Sequence, residues 1–303
     1  MNRSRLAPGA GFVTVPGGRP VLRTSAGEFL RIDTGRADPV ELVNRLTAGE
    51  GEQAHSAELD GLVAAFEEAG HAVTAPRRPP LTGRTIHLLG DPALTEPLSR
   101  FARAEGAEVH PAATADDVTA LAGRRNTAVV WCLDSPVPEG LWDAADQLPA
   151  RHTAWLRCHR EGAHIWIEPL AAAPGDVTSA HVRLRRLAAT AAHRELAAYW
   201  AGHRTPDTGP HPTEASAALV AALLTADLIA WADGEPPRGA VLPARRRLRR
   251  VDLRDLTVTE HPVLPVPEVA PLPAPTTRAT ANARTPLTET PKARTPLTAK
   301  ANA

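Results

Sequence analysis

The chain has 303 residues, 43% of them hydrophobic, with 34 basic and 34 acidic side chains. That length allows two domains with cores of their own, and a formal charge of zero gives no global attraction to nucleic acid or to an anionic membrane. Lysine occurs only at Lys292 and Lys300, so everything before them lacks a phosphate-loop, kinase-type or Schiff-base lysine.

The first residues, MNRSRLAPGAG, have no apolar run behind their arginines, so no secretory signal is expected and the chain reads as cytoplasmic. β-like segments at 11–15, 20–24 and 28–33 are separated by Pro16-Gly17-Gly18 and Ser25-Ala26-Gly27 as turn signals. Asp38-Pro39 opens a helix with the stripe Val40, Leu42, Val43 and Leu46. Ser56 caps a second helix, with Leu59, Leu62, Val63 and Phe66 on one face and Gly70 as its stop. A small sheet with helices over residues 1–82 predicts a winged-helix-like module.

Residues 75–83 (APRRPPLTG) read as a linker, and a βα rhythm follows. Strands are expected at 85–89, 107–109 and 127–132, and helices at 95–105, 115–121 and 138–148. This alternation predicts a parallel sheet with helices on its faces. Strands at 153–157 and 164–168 flank Glu161-Gly162, long helices cover 180–200 and 213–232, and strands at 247–253 and 257–263 close an α/β domain spanning 83–263. The apolar run 215–232 is broken by Thr225 and Asp227 and reads as a buried helix, not a membrane span. Residues 264–303 are rich in Pro, Thr and Ala, repeat Ala-Arg-Thr-Pro-Leu-Thr at 283–288 and 293–298, and are expected to be disordered.

Chemical signals are few. Cys132 and Cys158 form neither a disulfide framework nor a metal motif. Cys158 and His159 are adjacent in an expected strand and should point to opposite faces, against a nucleophile pair. Asp134 follows a sheet strand, at the end where open α/β sheets hold ligands, but with no phosphate loop beside it reads as a turn or helix-entry residue. Scattered histidines such as His152, His164, His181 and His193 lack ligand spacing. The run Arg245–Arg250 (RRRLRR) reads as a solvated edge, with contact to an acidic peptide or partner enzyme as the functional alternative. An exposed edge at Phe29, Leu30, Arg31, Ile32 and Asp33, beside a helix carrying Leu59, Leu62, Val63 and Phe66, is the best candidate surface, because a strand edge accepts an extended peptide. Packing of the module's own core is the other reading of the helix residues.

Four stretches carry a family resemblance: VLRTSAGEFLRIDTG with ELDGLVAAFEEAGH, then HTAWLRCHREGAHIWIEPLAAAPGDV, TEASAALVAALLTADLIAWADGE and RRVDLRDLTVTEHPVLPVPE. In their order and spacing, over residues 11–268, the chain resembles the ThiF-like partner proteins of azoline-forming cyclodehydratases. These serve thiazole/oxazole-modified peptides, bacteriocins and thiopeptides. The first stretch is similar to the family's PqqD-like recognition element.

The resemblance implies a winged-helix-like module at 1–82 that binds a precursor's leader peptide. It also implies a degenerate Rossmann-like, ThiF-type scaffold at 83–263 that presents the precursor to a YcaO-type cyclodehydratase. The peptide-binding residues would be Phe29–Asp33, Leu59, Leu62, Val63 and Phe66, with no catalytic residue, no cofactor, no metal, no nucleic acid and no membrane; homodimer formation stays open. The family's two C-x-x-C pairs have no counterpart in DVTSAHVRLRR or in PEVAPL, where Val269 and Leu272 stand at the second pair. No structural zinc is therefore expected, since it needs four ligands. Gly90-Asp91-Pro92-Ala93-Leu94 replaces a Gly-rich nucleotide loop, against ATP. Two other classes stay open: a ThiF-like, ATP-dependent carboxylate-activating enzyme, and a winged-helix DNA-binding regulator.

Overall fold

The computed structural model describes residues 4–47, 56–74, 78–112, 114–234 and 242–267. At the N-terminus, β1 (Arg5–Leu6) pairs with β5 (Ala72–Val73), and β2 (Gly11–Thr14), β3 (Pro20–Arg23) and β4 (Phe29–Arg31) form an antiparallel sheet in that order. Two helices, α1 (Pro39–Thr47) and α2 (Ala57–Glu68), follow β4. Asp38 starts α1 by accepting the Val40 N–H at 2.9 Å, and Ser56 Oγ accepts the Leu59 N–H at 3.1 Å, so both expected caps form. Leu22, Leu42, Leu46, Leu59, Val63 and Phe66 fill one small core. Val40, placed on the apolar stripe by sequence, is exposed.

The larger part is a seven-stranded sheet in the order β12-β11-β10-β9-β8-β6-β7. β6 (Thr85–Gly90) leads into α3 (Pro92–Ala104), β7 (Glu108–Pro111) into α4 (Ala115–Ala120), and β8 (Thr127–Leu133) lies parallel to β6 and to β9 (Ala154–Glu161). β10 (His164–Ile167) turns back antiparallel, and α5 (Ser179–Ala188), α6 (His193–Trp200) and α7 (Glu214–Asp233) precede the hairpin β11 (Arg247–Asp252) and β12 (Val258–Pro262). The sheet is therefore mixed, parallel on one side of β9 and antiparallel on the other, as in Rossmann-like folds that carry antiparallel additions.

One sheet face packs Ile86, Val130, Leu156 and Ile165 against Leu94 and Leu98 of α3 and Val220, Leu224 and Leu228 of α7. By length and composition α7 could cross a membrane, but its apolar positions form this core. Thr213 and Ser216 close a capping box at its start. The opposite face packs Val129, Trp131 and Trp155 against Val118, Trp142 and Leu148.

Four expectations are corrected. Residues 138–148 form turns and a 3₁₀ segment, Ala145–Gln147, instead of a helix. Trp142 is drawn edge-on to Trp155 with ring centroids 5.9 Å apart, and Asp146 accepts the Trp155 indole N–H and the Ser179 N–H and hydroxyl. The expected helix over 180–200 is two helices, since Thr190 Oγ1 accepts the Ala192 N–H and opens the chain between them. The linker over 75–83 is partly domain: 75–77 lie outside the described residues, but Leu81 is fully buried in the α/β core and donates its N–H to Glu105 O. Of the tail, 264–267 are described, and Arg185 donates to Leu264 O and Pro265 O; the repeats lie outside the described residues.

Candidate functional site

Hairpin geometry sets the surface of the N-terminal sheet. Thr24 donates its N–H to Glu28 O and accepts the Glu28 N–H on Oγ1, while Gly27, at φ +88°, turns the chain between them. This register sets Leu22 opposite Leu30, Arg23 opposite Phe29 and Val21 opposite Arg31. Hydrogen-bonded pairs alternate in an antiparallel ladder. Because Thr24 and Glu28 form one such pair, Leu22 and Leu30 form the next. The main-chain groups of Phe29 and Arg31 therefore point away from β3, along the outer edge of the sheet.

Side chains alternate in the opposite sense. Phe12, Leu22 and Leu30 form a row on the face turned to the helices. Leu22 is 1% exposed but Leu30, at the edge, is 40% exposed. Phe29, 63% exposed, and Arg31 stand on the other face. Ile32 is half-buried against the core, and Asp33 accepts the Gly35 N–H in a turn.

The helix half of the expected groove is corrected. Leu59, Val63 and Phe66 are buried in the module's core and Leu62 is half-buried against it, because this face of α2 closes on Leu22 of the sheet and on Leu42 and Leu46 of α1. Phe66 meets Phe12 of β2 with ring centroids 6.1 Å apart. Of the expected peptide-binding residues, Phe29, Leu30, Arg31 and Asp33 stand exposed.

At the carboxyl ends of the parallel strands, where ligands sit in open α/β folds, an open cleft lined by Asp134, Arg160, Asp207 and His211 borders a tight turn after β6. Gly90 has φ +103°, and a Cβ there would lie 1.8 Å from Cys132 O, so this glycine serves the close approach of β6 to β8. Asp91 donates its N–H to Cys132 O, and its carboxylate accepts the Asp134 N–H at 2.6 Å. Pro92 offers no N–H. The Asp91 carboxylate thus stands beside the start of α3, turned to Asp134 and not capping the helix.

Sequence reasoning treated Asp134 as a turn residue and did not single out Arg160. In the structure Arg160 is buried and donates to Asp134 at 2.5 Å and to Asp207 at 2.8 Å, while His211 meets Asp134 at 2.6 Å. Burial opposes ionisation of Asp207, but the Gly209 N–H and Arg160 outweigh it and hold the carboxyl below its usual range. The available signal was an arginine inside an apolar strand, which must find buried partners.

On the other face, Arg157 donates to Glu168 at 2.7 Å, and Glu161 accepts from Arg186, at 3.0 and 2.5 Å, and from the Trp200 indole at 2.7 Å. Burial opposes ionisation of Glu161, but hydrogen bonds from His159 and Arg186 prevail and hold its carboxyl well below the carboxylate range. These contacts tie α5 and α6 to the sheet. His159 and Cys158 do point to opposite faces: Cys158 stands opposite Cys132 in the parallel register, and His159 packs on Trp142. A hydrogen bond to Cys132 and burial push the Cys158 thiol well above its ordinary value, the reverse of an activated nucleophile.

The arginine run is also corrected. Strand alternation sends Arg247 and Arg249 inward to Asp227 of α7, at 2.6 and 2.5 Å, so these two form neither a solvated edge nor a partner contact. Arg250, on the other face, lies over Trp166. Among the described residues no group of three or more His, Cys, Asp or Glu is placed to hold a metal ion. Val269 and Leu272 lie outside the described residues.

No protein-family model and no curated protein matches the sequence. Solved structures share the fold at low identity. The heterocyclase TruD aligns with a TM-score of 0.63 at 11% identity, over 88% of this chain and 42% of its own. A heterocyclase in complex with substrate and cofactor gives 0.61 at 11%, over 88% of this chain and 39% of its own. MccB of E. coli gives 0.53 at 8%, over 87% of this chain and 95% of its own. The chain thus spans about two fifths of the heterocyclases it matches.

Proposed function

We propose that the chain binds the leader of a ribosomal precursor peptide and presents it to a separate YcaO-type cyclodehydratase for azoline formation, without performing the chemistry itself. The winged-helix-like module receives the leader, and the Rossmann-like domain is the docking scaffold. The observation that carries this reading is the outer edge of β4, with main-chain groups of Phe29 and Arg31 pointing outward between an uncovered Leu30 and an exposed Phe29. A peptide added there gains main-chain hydrogen bonds and side-chain contacts on both faces.

On this reading the register also selects the peptide. An antiparallel strand runs past Arg31 before it reaches Phe29, so the matching segment reads acidic, apolar, apolar. The acid meets Arg31, the middle residue covers Leu30 and the last stacks on Phe29. Since the chain aligns with about two fifths of TruD, the reading assigns the remaining part of a heterocyclase to a partner protein.

Two observations weigh against the other readings. A carboxylate and a proline at the start of α3 oppose the phosphates that a carboxylate-activating enzyme must hold. The exposed positions of α2 include Glu58, Asp60 and Glu68, which repel a DNA backbone. The test is fluorescence polarisation of a labelled leader, taken from a precursor encoded beside this gene, against the full chain. Saturable binding that is lost when the acidic–apolar–apolar segment is scrambled supports the reading; no binding to such a leader rejects it.

A further inference from the structure

β12 is the last strand of the seven-stranded sheet, and all five of its residues are exposed. Its ladder with β11 fixes which main-chain groups are spent. Asp252 donates to Thr257 O and Val263 donates to Arg246 O, so alternate residues 257, 259, 261 and 263 face β11. Val258 and Glu260 therefore turn both N–H and C=O outward, and Pro262 contributes a carbonyl alone.

Natural edge strands are usually protected by lysine, an unpaired charge or a cover. β12 carries no lysine, and its single carboxylate is engaged inward, Glu260 accepting from Arg249 at 3.0 Å. Leu256, Val258 and Leu264 stand exposed along the same edge. Along this edge apolar side chains alternate with polar ones, its outward backbone groups have no partner among the described residues, and it is stopped at one end by Pro262.

The strand is complementary to itself. In an antiparallel pairing about a two-fold axis at Thr259, Val258 faces Glu260 of the second copy, and each such pair exchanges both main-chain hydrogen bonds. Thr259 faces Thr259, His261 faces Thr257 and Leu256 faces Pro262. No like charges stand directly opposite, and threonine pairs across strands are favourable. Each Glu260 keeps Arg249 as its counter-ion in its own chain. We infer that β12 is a self-association edge, which joins two copies of this chain into one continuous sheet and leaves the β4 edge of each copy free for a peptide.

Light scattering and cysteine cross-linking of the full chain test this. Wild type should move toward twice the 32.1 kDa chain mass as concentration rises. Val258→Pro, which removes an outward N–H without touching the β11 ladder, and Thr259→Arg, which sets like charges face to face, should each remain monomeric with an unchanged circular dichroism spectrum. Thr259→Cys gives the positive readout: opposed residues of a non-hydrogen-bonded pair lie about 4.5 Å apart at Cα, within disulfide reach. Oxidised Thr259→Cys should therefore run as a covalent dimer and His261→Cys should not, the native Cys132 and Cys158 being buried. A wild type that stays monomeric with no Thr259→Cys cross-link overturns the inference. So does a dimer that survives both Val258→Pro and Thr259→Arg, or a His261→Cys chain that cross-links as well as Thr259→Cys.

Discussion

Leu22 and Leu30 stand directly opposite each other across β3 and β4, on the same face of the sheet, yet one is 1% and the other 40% exposed. The difference lies in what borders them: Leu22 has strands on both sides, whereas among the described residues the row Phe12–Leu22–Leu30 ends at Leu30. A further strand would complete the row. That missing neighbour is the basis for reading β4 as the leader site.

Arg31 should set the charge preference of that neighbour. Arg31→Glu is expected to weaken an acidic leader about three- to tenfold, since an exposed charge contact is worth up to about 1 kcal/mol and a reversal adds repulsion. It should leave the unfolding free energy within about half a kcal/mol of wild type. A leader with lysine at the acidic position should regain affinity for the variant. Polarisation titrations of the four combinations check this, and equal losses with both leaders contradict it.

Arg160 should matter for stability and not for leader binding. Its removal leaves Asp134 and Asp207 facing each other beside Asp91 without their shared cation. Arg160→Ala is expected to cost about 3 kcal/mol, the low end for breaking a buried ion pair, because both carboxylates keep some solvent access. Chemical denaturation measures the loss. Any folded Arg160→Ala protein should bind the leader as wild type does.

Acid should unfold the chain partly through Glu161. Its carboxyl is held below the ordinary value, so below the usual carboxylate range the unfolded chain binds the proton more readily, and stability rises with pH there. The contribution is complete above the unfolded value of about 4.3 and is lost as pH falls toward the folded value. Glu161→Gln should therefore be less stable than wild type at neutral pH, with the gap closing below about pH 4. Melting curves across that range test the sign, and a gap that widens in acid contradicts it.

The end of the chain should be dispensable only from a defined point. Truncation after Val266 keeps the buried Val263 and both carbonyls that bind Arg185, and should leave the melting temperature unchanged. Truncation after Pro262 removes all three and should lower it by several degrees, as expected for about 1–2 kcal/mol in a chain of this size. Calorimetry of both chains distinguishes the outcomes.

Much of this architecture is legible in the sequence. Period-2 and period-3.6 patterns place most strands and helices, and the caps at Asp38 and Ser56 announce two helix starts. The errors share a cause, namely long-range partners that a local pattern does not contain. Trp142 and Asp146 abandon a helix for contacts to Trp155 and Ser179. The charged strand residues Arg157, Arg160, Arg247 and Arg249 look like surface until carboxylates distant in sequence are brought beside them. At the candidate site the strand half is readable, because the turn at Gly27 fixes register. The helix half is not, because core and groove residues have the same apolar composition.

The most direct test is residue-resolved amide hydrogen exchange on the full chain, with and without the labelled leader. Leu30 already bonds to β3, so its amide should change little, while the outward amides of Phe29 and Arg31 should become strongly protected when the peptide adds as a strand. Protection of both that disappears when the acidic–apolar–apolar segment is scrambled is the result this account predicts. Saturable leader binding with the Phe29 and Arg31 amides unprotected would contradict it and move the peptide site elsewhere.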